Sequence, residues 1–154
     1  MRYQVRAARI TDIDRLVTLA DGELGSDVLG GAVAASDLLR QLVYLPQASV
    51  LIAESREGIA GGAVLALRPS VSSGGYVGTI DLLVVDKRQD AAGVLDALLE
   101  ELLRSAGNKG CSLVEAPRPE DPPTLDQWQR RGFVESGPRI EHAVAAARAT
   151  ARHS

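Results

Sequence analysis

The sequence predicts a mixed α/β domain: a mixed central sheet of six to seven strands flanked by about four helices. Three observations point there. Residues 76–85 form a strand-like run that ends fully apolar at Leu82-Leu83-Val84-Val85, and a charged turn then leads directly into a leucine-rich helical stripe. Upstream, the runs Ser49–Glu54 and Ala60–Leu67 flank Arg56-Glu57-Gly58 and read as an antiparallel hairpin. Strand and helix periods alternate over the rest of the chain, in the order β-α-α-β-β-β-α-β-α-β-β.

Each element has its own signal. Tyr3 to Ala7 alternates weakly and opens the sheet. Thr11 and Asp14 suggest a capping box for a helix carrying Ile13, Leu16, Val17 and Ala20, ending near Gly22 to Gly25. The small residues from Gly25 to Ala35 predict a loop, after which Ser36 would cap a second helix with Leu38, Leu39, Leu42 and Val43, stopped by Pro46. The hairpin follows, then a polar connection from Pro69 to Gly75 and the strand Tyr76–Val85. A helix from about Ala91 to Ala106 sets Val94, Leu95, Leu98, Leu99, Leu102 and Leu103 on one face, with Asp96, Glu100, Glu101 and Arg104 outside it. Cys111 to Ala116 is the next strand. Prolines 117, 119, 122 and 123 stiffen the loop after it, and Thr124 begins a short helix, with Gln127 in capping-box position and Gly132 as its stop. Phe133–Glu135 and Arg139–Val144 read as a last hairpin around Gly137-Pro138. Residues 1–146 make one domain on this reading, and the alanine-rich residues 147–154 a frayed tail.

Composition narrows the function classes. The 154 residues are 45 % hydrophobic and 24 % charged, with a net charge of −3. That balance gives no general electrostatic drive toward nucleic acid or an anionic membrane, so neither is an expected partner. Only 3 % of residues are aromatic, too few for a base-stacking platform. No apolar run reaches transmembrane length, and no signal-peptide core stands at the start, so a cytoplasmic location is expected. One cysteine, Cys111, excludes an internal disulfide and reads as a small buried hydrophobe. With His142 and His153 isolated, no metal site is expected.

The chemistry concentrates at 81–95, where a buried strand, a charged turn and a helix start succeed one another. This is how a chain presents backbone N–H groups to a pyrophosphate. Val85-Asp86-Lys87-Arg88, then Gly93-Val94 with Leu98-Leu99, and finally Arg130-Arg131-Gly132-Phe133, resemble in order and spacing the GNAT acetyltransferase superfamily. The resemblance covers nearly the whole chain. It implies a GNAT-like fold, acetyl-CoA as co-substrate, and a small-molecule or protein amine as acceptor. A homodimer is compatible with the size of such proteins. Carried over residue by residue, the coenzyme would meet main-chain groups of Leu83 and Val85 on the fourth strand. Beyond it would lie the turn and helix start at Arg88, Ala91, Ala92, Gly93, Val94 and Leu95.

The chain departs from the family pattern Gln/Arg-x-x-Gly-x-Gly/Ala. It reads Asp90-Ala91-Ala92-Gly93-Val94-Leu95, so only Gly93 keeps a signature identity. Asp90 has two readings: an N-cap that occupies a helix-end amide, or a negative charge beside the pyrophosphate. Leu95 is either core or a bulky wall of the cradle, and Lys87 and Arg88 are either phosphate partners or a solvated turn. In the family's Phe-Tyr-x-x-x-Gly-Phe, the Tyr donates a proton; here Gln127-Trp128-Gln129-Arg130-Arg131-Gly132-Phe133 places Trp128 there, and indole is too weak an acid. Asp81 and Glu115 are the carboxylates that burial in a cleft would turn into bases, each with a surface-charge alternative. Asp21, Glu23, Asp27 and Gly30-Gly31 fall where the family binds its acceptor, and Tyr44 and Tyr76 are candidate cleft aromatics. Three functions follow: an acyltransferase working by direct attack of the amine, a catalytically degenerate binding or interaction protein with weak or no CoA affinity, or repurposed chemistry on the same scaffold.

Overall fold

A computed structural model describes residues 3–20, 31–137 and 142. The sheet among these residues runs in the order β1 (Gln4–Ala7), β2 (Ala48–Ser55), β3 (Gly58–Ser70), β4 (Gly75–Val85), β5 (Cys111–Glu115). The first four strands pair antiparallel and β5 joins β4 in parallel. Four helices accompany it: α1 (Ile13–Leu19), α2 (Gly31–Leu42), α3 (Ala91–Asn108) and α4 (Pro122–Arg130). A parallel pair needs a crossover, and α3 provides it. No helix among the described residues is long and apolar enough to cross a membrane.

The strand period of two sorts side chains onto two helical layers. Leu51, Ala53, Ala63 and Leu65 face α3, where Val94, Leu95, Leu98, Leu99, Leu102 and Ala106 are buried against them. Val50, Ile52 and Val64 face the other side, against Ile13, Leu16 and Leu39. Each of these larger side chains contributes roughly 1.5–3 kcal/mol on burial, so the α3 stripe is the main anchor of the crossover. Arg6 pins β1 to its neighbours: its guanidinium donates to Asp12 Oδ2 (2.8 Å) and to Glu54 Oε1 (2.9 Å), which holds both carboxyls below their ordinary range.

Several sequence expectations are corrected. The sheet has five strands among the described residues, not six to seven. Phe133–Glu135 forms no strand with any of the described residues: Val134 is exposed, and Glu135 turns to an ion pair with Arg118. Its proposed hairpin mate, 139–144, lies outside the described residues except His142, as does the tail from 147. The first helix opens earlier than the Thr11–Asp14 box implied. A 3-10 turn at Ile10–Asp12 precedes it, and the Asp12 carboxylate accepts from the Arg9 N–H (2.8 Å). Helix α2 starts at Gly31, so Ser36 lies inside it and accepts from Arg40 instead of capping. Strand β3 continues through Pro69 to Ser70, paired with Tyr76 and Gly75, which shortens the predicted polar connection to a turn.

At α4 the cap is Asp121, not Thr124. The Asp121 Oδ2 accepts from the Thr124 N–H (3.1 Å) and hydroxyl (2.7 Å), while Pro122 and Pro123 occupy the first helical positions, where a missing N–H costs nothing. Gly132, at φ +98°, then closes the helix as expected.

Candidate functional site

The site begins with an irregularity in β4. Val64 pairs with Leu82 and Leu65 with Ile80, so Asp81 is an extra residue, a bulge. The bulge resets side-chain parity: Ile80 belongs to the α3 face, Leu82 and Val84 to the opposite one, and Leu83 and Val85 return to the α3 face. Beyond it, the Asp86 N–H donates to the Ala60 carbonyl of β3 (2.7 Å). Main-chain groups alternate edges along a strand, so those of Val84 also point to β3, while those of Leu83 and Val85 point away. On that far side β5 pairs only with Tyr76 to Thr79. The two parallel strands part beyond Thr79, and the outer edge of Leu83 and Val85 has no ladder partner on β5.

The turn after β4 is organised around Asp86, which is 6 % exposed. Its carboxylate accepts from the Arg88 N–H (3.0 Å), Arg88 Nε (3.1 Å), Gln89 Nε2 and Arg15 Nη2 (both 3.4 Å), tying the turn to α1. The Arg88 guanidinium and N–H hold the Asp86 carboxyl down to about 2 from 3.8. A carboxyl depressed in the folded state adds stability above its unfolded pKa and loses it as pH falls toward the folded value. The contribution is therefore complete above about pH 4 and fades toward pH 2. Asp86→Asn, followed by urea denaturation across that range, should cost about 2–3 kcal/mol at neutral pH. The loss should shrink at low pH.

Asp90 then caps α3. Its Oδ1 accepts from the Gly93 N–H (3.1 Å) and its carbonyl from the Val94 N–H (2.9 Å). A Cβ on Gly93 would lie 2.4 Å from Asp90 Oδ2, so glycine makes room for this cap. Of the helix's four initial N–H groups, Gly93 and Val94 are thus engaged by Asp90. Those of Ala91 and Ala92 are left for another acceptor. Lys87 stands at the cavity beside them.

These elements enclose a cavity of about 620 Å³. Ile80, Asp81, Leu82, Leu83 and Val85 of β4 line one side, and Ala91, Ala92 and Leu95 of α3 the end. Pro117, Arg118 and Pro119 with Pro123, Thr124, Gln127 and Trp128 of α4 form the facing wall. Of the eight residues that the resemblance assigns to the coenzyme, Leu83, Val85, Ala91, Ala92 and Leu95 meet there. The others do not: Arg88 is turned onto Asp86, Gly93 is under the Asp90 cap, and Val94 is fully buried in the core. Leu95 plays both roles foreseen for it, 6 % exposed in the core and touching the cavity.

The remaining candidates separate clearly. Asp81 is exposed and faces the cavity; Glu115 does not line it and accepts from Thr79 Oγ1 and Arg68 Nη2 (both 3.3 Å). Trp128 is 7 % exposed, packed edge-on to Phe133 with ring centroids 4.9 Å apart. Tyr44 and Tyr76 are exposed and outside the cavity lining. Asp21, Glu23, Asp27 and Gly30 lie outside the described residues. Burial pushes the Cys111 thiol pKa up, which keeps it protonated. No group of three or more metal-ligating side chains occurs among the described residues. Sequence reasoning missed the wall of 117–127. Its proline spacing was visible, but its position opposite α3 was not.

No protein-family model matches the sequence, and no curated protein is similar to it by sequence. Solved structures do resemble it. A transcriptional regulator from Bacillus halodurans is 19 % identical, with a TM-score of 0.76, over 93 % of this chain and all of that one. An acetyltransferase of Trypanosoma brucei is 23 % identical, with a TM-score of 0.71, over 92 % of this chain and 99 % of that one. A predicted acetyltransferase of Clostridium acetobutylicum, in a structure with acetyl-CoA, is 16 % identical, with a TM-score of 0.75, over 92 % of this chain and 96 % of that one. What is common at such identities is the architecture, and the architecture of this chain is the GNAT fold.

Proposed function

We propose that the chain is an acyltransferase that moves an acetyl or other acyl group from acyl-CoA to a primary amine by direct attack. The observation that carries this reading is the parting of β4 from β5 beyond Thr79, which opens the cavity onto a strand edge with no ladder partner among the described residues. A pantetheine arm carries amides that need partners in an apolar slot, and the Leu83 and Val85 main chain supplies them. Ala91 and Ala92 offer N–H groups to a pyrophosphate at the positive end of an 18-residue helix. Bound acyl-CoA supplies the thioester carbonyl carbon. The chain's part is to hold it in place, which alone provides much of an enzyme's acceleration. On this reading Asp81, which lines the cavity at the bulge, takes the amine's proton as the C–N bond forms and the C–S bond breaks. Trp128 supplies no proton, so the departing thiolate takes one from water or, where the acceptor enters as an ammonium, its second proton.

A second reading has its own observation: Asp90 already satisfies the Gly93 N–H, and Trp128 stands where a proton donor is usual. On that reading the fold serves as a binding or interaction protein with weak or no CoA affinity. Calorimetric titration with acetyl-CoA, alongside an acetylation assay over a panel of amines, separates the two. The transferase reading expects saturable heat at one site per chain, plus turnover of at least one amine. Absence of both would reject the transferase reading.

A further inference from the structure

One polar contact between the two walls of the cavity is made by Gln127. Its Nε2 reaches from α4 to the carbonyl of Ala92 in the first turn of α3, at 2.6 Å. That carbonyl and the Gly93 N–H belong to one peptide unit. The unit is therefore held at both ends, by Gln127 at the oxygen and by Asp90 Oδ1 at the nitrogen (3.1 Å). A donor on a carbonyl oxygen polarises the N–H of the same peptide and strengthens it as a donor in turn.

Helix α4 has a second fastening on α3, one turn further along both helices. Arg131 Nε and Nη2 donate to Asp96 Oδ1 (2.8 Å) and Oδ2 (2.6 Å), and Trp128 lies between the two fastenings, buried in the core. With Trp128 and the Arg131 pair already seating α4, the Gln127 bond is not required merely to hold the helix down. Its distinct effect falls on the turn that presents the N–H groups of Ala91 and Ala92.

We infer that Gln127 is a positioning residue: it fixes the Ala92–Gly93 peptide so that the first turn of α3 can bind the pyrophosphate of a CoA thioester. It touches the cradle through the carbonyl side and has no part in the chemistry of acyl transfer. This inference rests on the acyl-CoA reading above for its ligand, while the positioning itself is a property of the free protein.

The test has two arms, both on the full chain with Gln127→Leu, a change that keeps side-chain bulk but removes the donor. In the first, amide hydrogen exchange is followed by NMR at residues 91–94. Exchange at Gly93 should speed up by about tenfold, as expected for one lost hydrogen bond, while residues near Asp96 stay protected. Unchanged exchange at Gly93 would overturn the positioning role whether or not CoA binds. In the second arm, CoA and pantetheine are titrated separately. CoA affinity should fall by roughly tenfold and pantetheine affinity should hold, because pantetheine lacks the pyrophosphate. An equal loss for both would make Gln127 an ordinary wall residue and overturn the proposal, as would no loss for CoA. Wild-type protein that ignores CoA would defeat both the pyrophosphate assignment and the transferase reading; the exchange arm would then still report whether Gln127 orders the turn.

Discussion

Gly61→Ala should destabilise the protein by about 2–3 kcal/mol, the range typical of forcing one extra carbon into a close-packed core. A Cβ at Gly61 would stand 2.6 Å from the Val84 carbonyl oxygen and 2.8 Å from Val94 Cγ1. Neither neighbour can step aside cheaply. The oxygen belongs to the backbone of a paired strand, and Val94 is fully buried on a helix, where a β-branched side chain has one strongly preferred rotamer. Relief requires lifting the first turn of α3 from the sheet. The adjacent Gly62 faces the other layer, its absent Cβ 2.5 Å from Leu16 Cδ1, so one strand admits a helix closely on each face. Urea denaturation checks the prediction as a lower midpoint with an unchanged slope. Gly107→Ala is the control: the space there is open and the residue is helical, so a gain of up to about 0.5 kcal/mol is expected. Equal behaviour of the two variants would show that α3 is not seated on Gly61 as described.

That pair of glycines also shows what could and could not be read in advance. Strands β2, β3 and β4 and helix α3 were legible because their apolar periods are long and unbroken, and burial confirms the α3 stripe from Val94 to Leu102. The start of α2 was misread because small residues between glycines look like a loop, although alanine is the strongest helix former. The α4 cap was misread for a related reason. Asp121-Pro122-Pro123 reads as stiff loop by its prolines, although an acidic cap followed by proline is itself a helix-start signal. The bulge at Asp81 and the parting of β4 and β5 are not legible in the sequence, because both are properties of strand register and no single segment encodes them. The Gln127 contact was beyond reach altogether: it links residues 35 positions apart, and in the sequence Gln127 reads equally well as a local cap.

Asp90→Asn should tighten CoA binding by roughly ten- to a hundredfold with almost no change in folding stability. The two halves of this expectation come from the same geometry. Asparagine caps helices about as well as aspartate, because its side-chain oxygen can accept from the Gly93 N–H as the carboxylate does now (3.1 Å). What the substitution removes is the charge. A carboxylate about 6 Å from one phosphate charge repels it by roughly 1–3 kcal/mol at effective dielectrics between protein surface and water. Each 1.4 kcal/mol is about a factor of ten in affinity. Repulsion between exposed charges is screened by salt, so the advantage of the variant should narrow as ionic strength rises from about 0.01 to 1 M. Calorimetry with CoA at two salt concentrations reads both effects. A steric cradle defect would behave differently: if Leu95 is what hinders the phosphate, Asp90→Asn would leave affinity and its salt dependence unchanged, and Leu95→Gly would be the variant that gains. The cavity geometry favours charge as the dominant obstacle, because Leu95 is 6 % exposed and committed to the core, whereas Asp90 is on the surface of the turn, at the N–H groups an anion would seek.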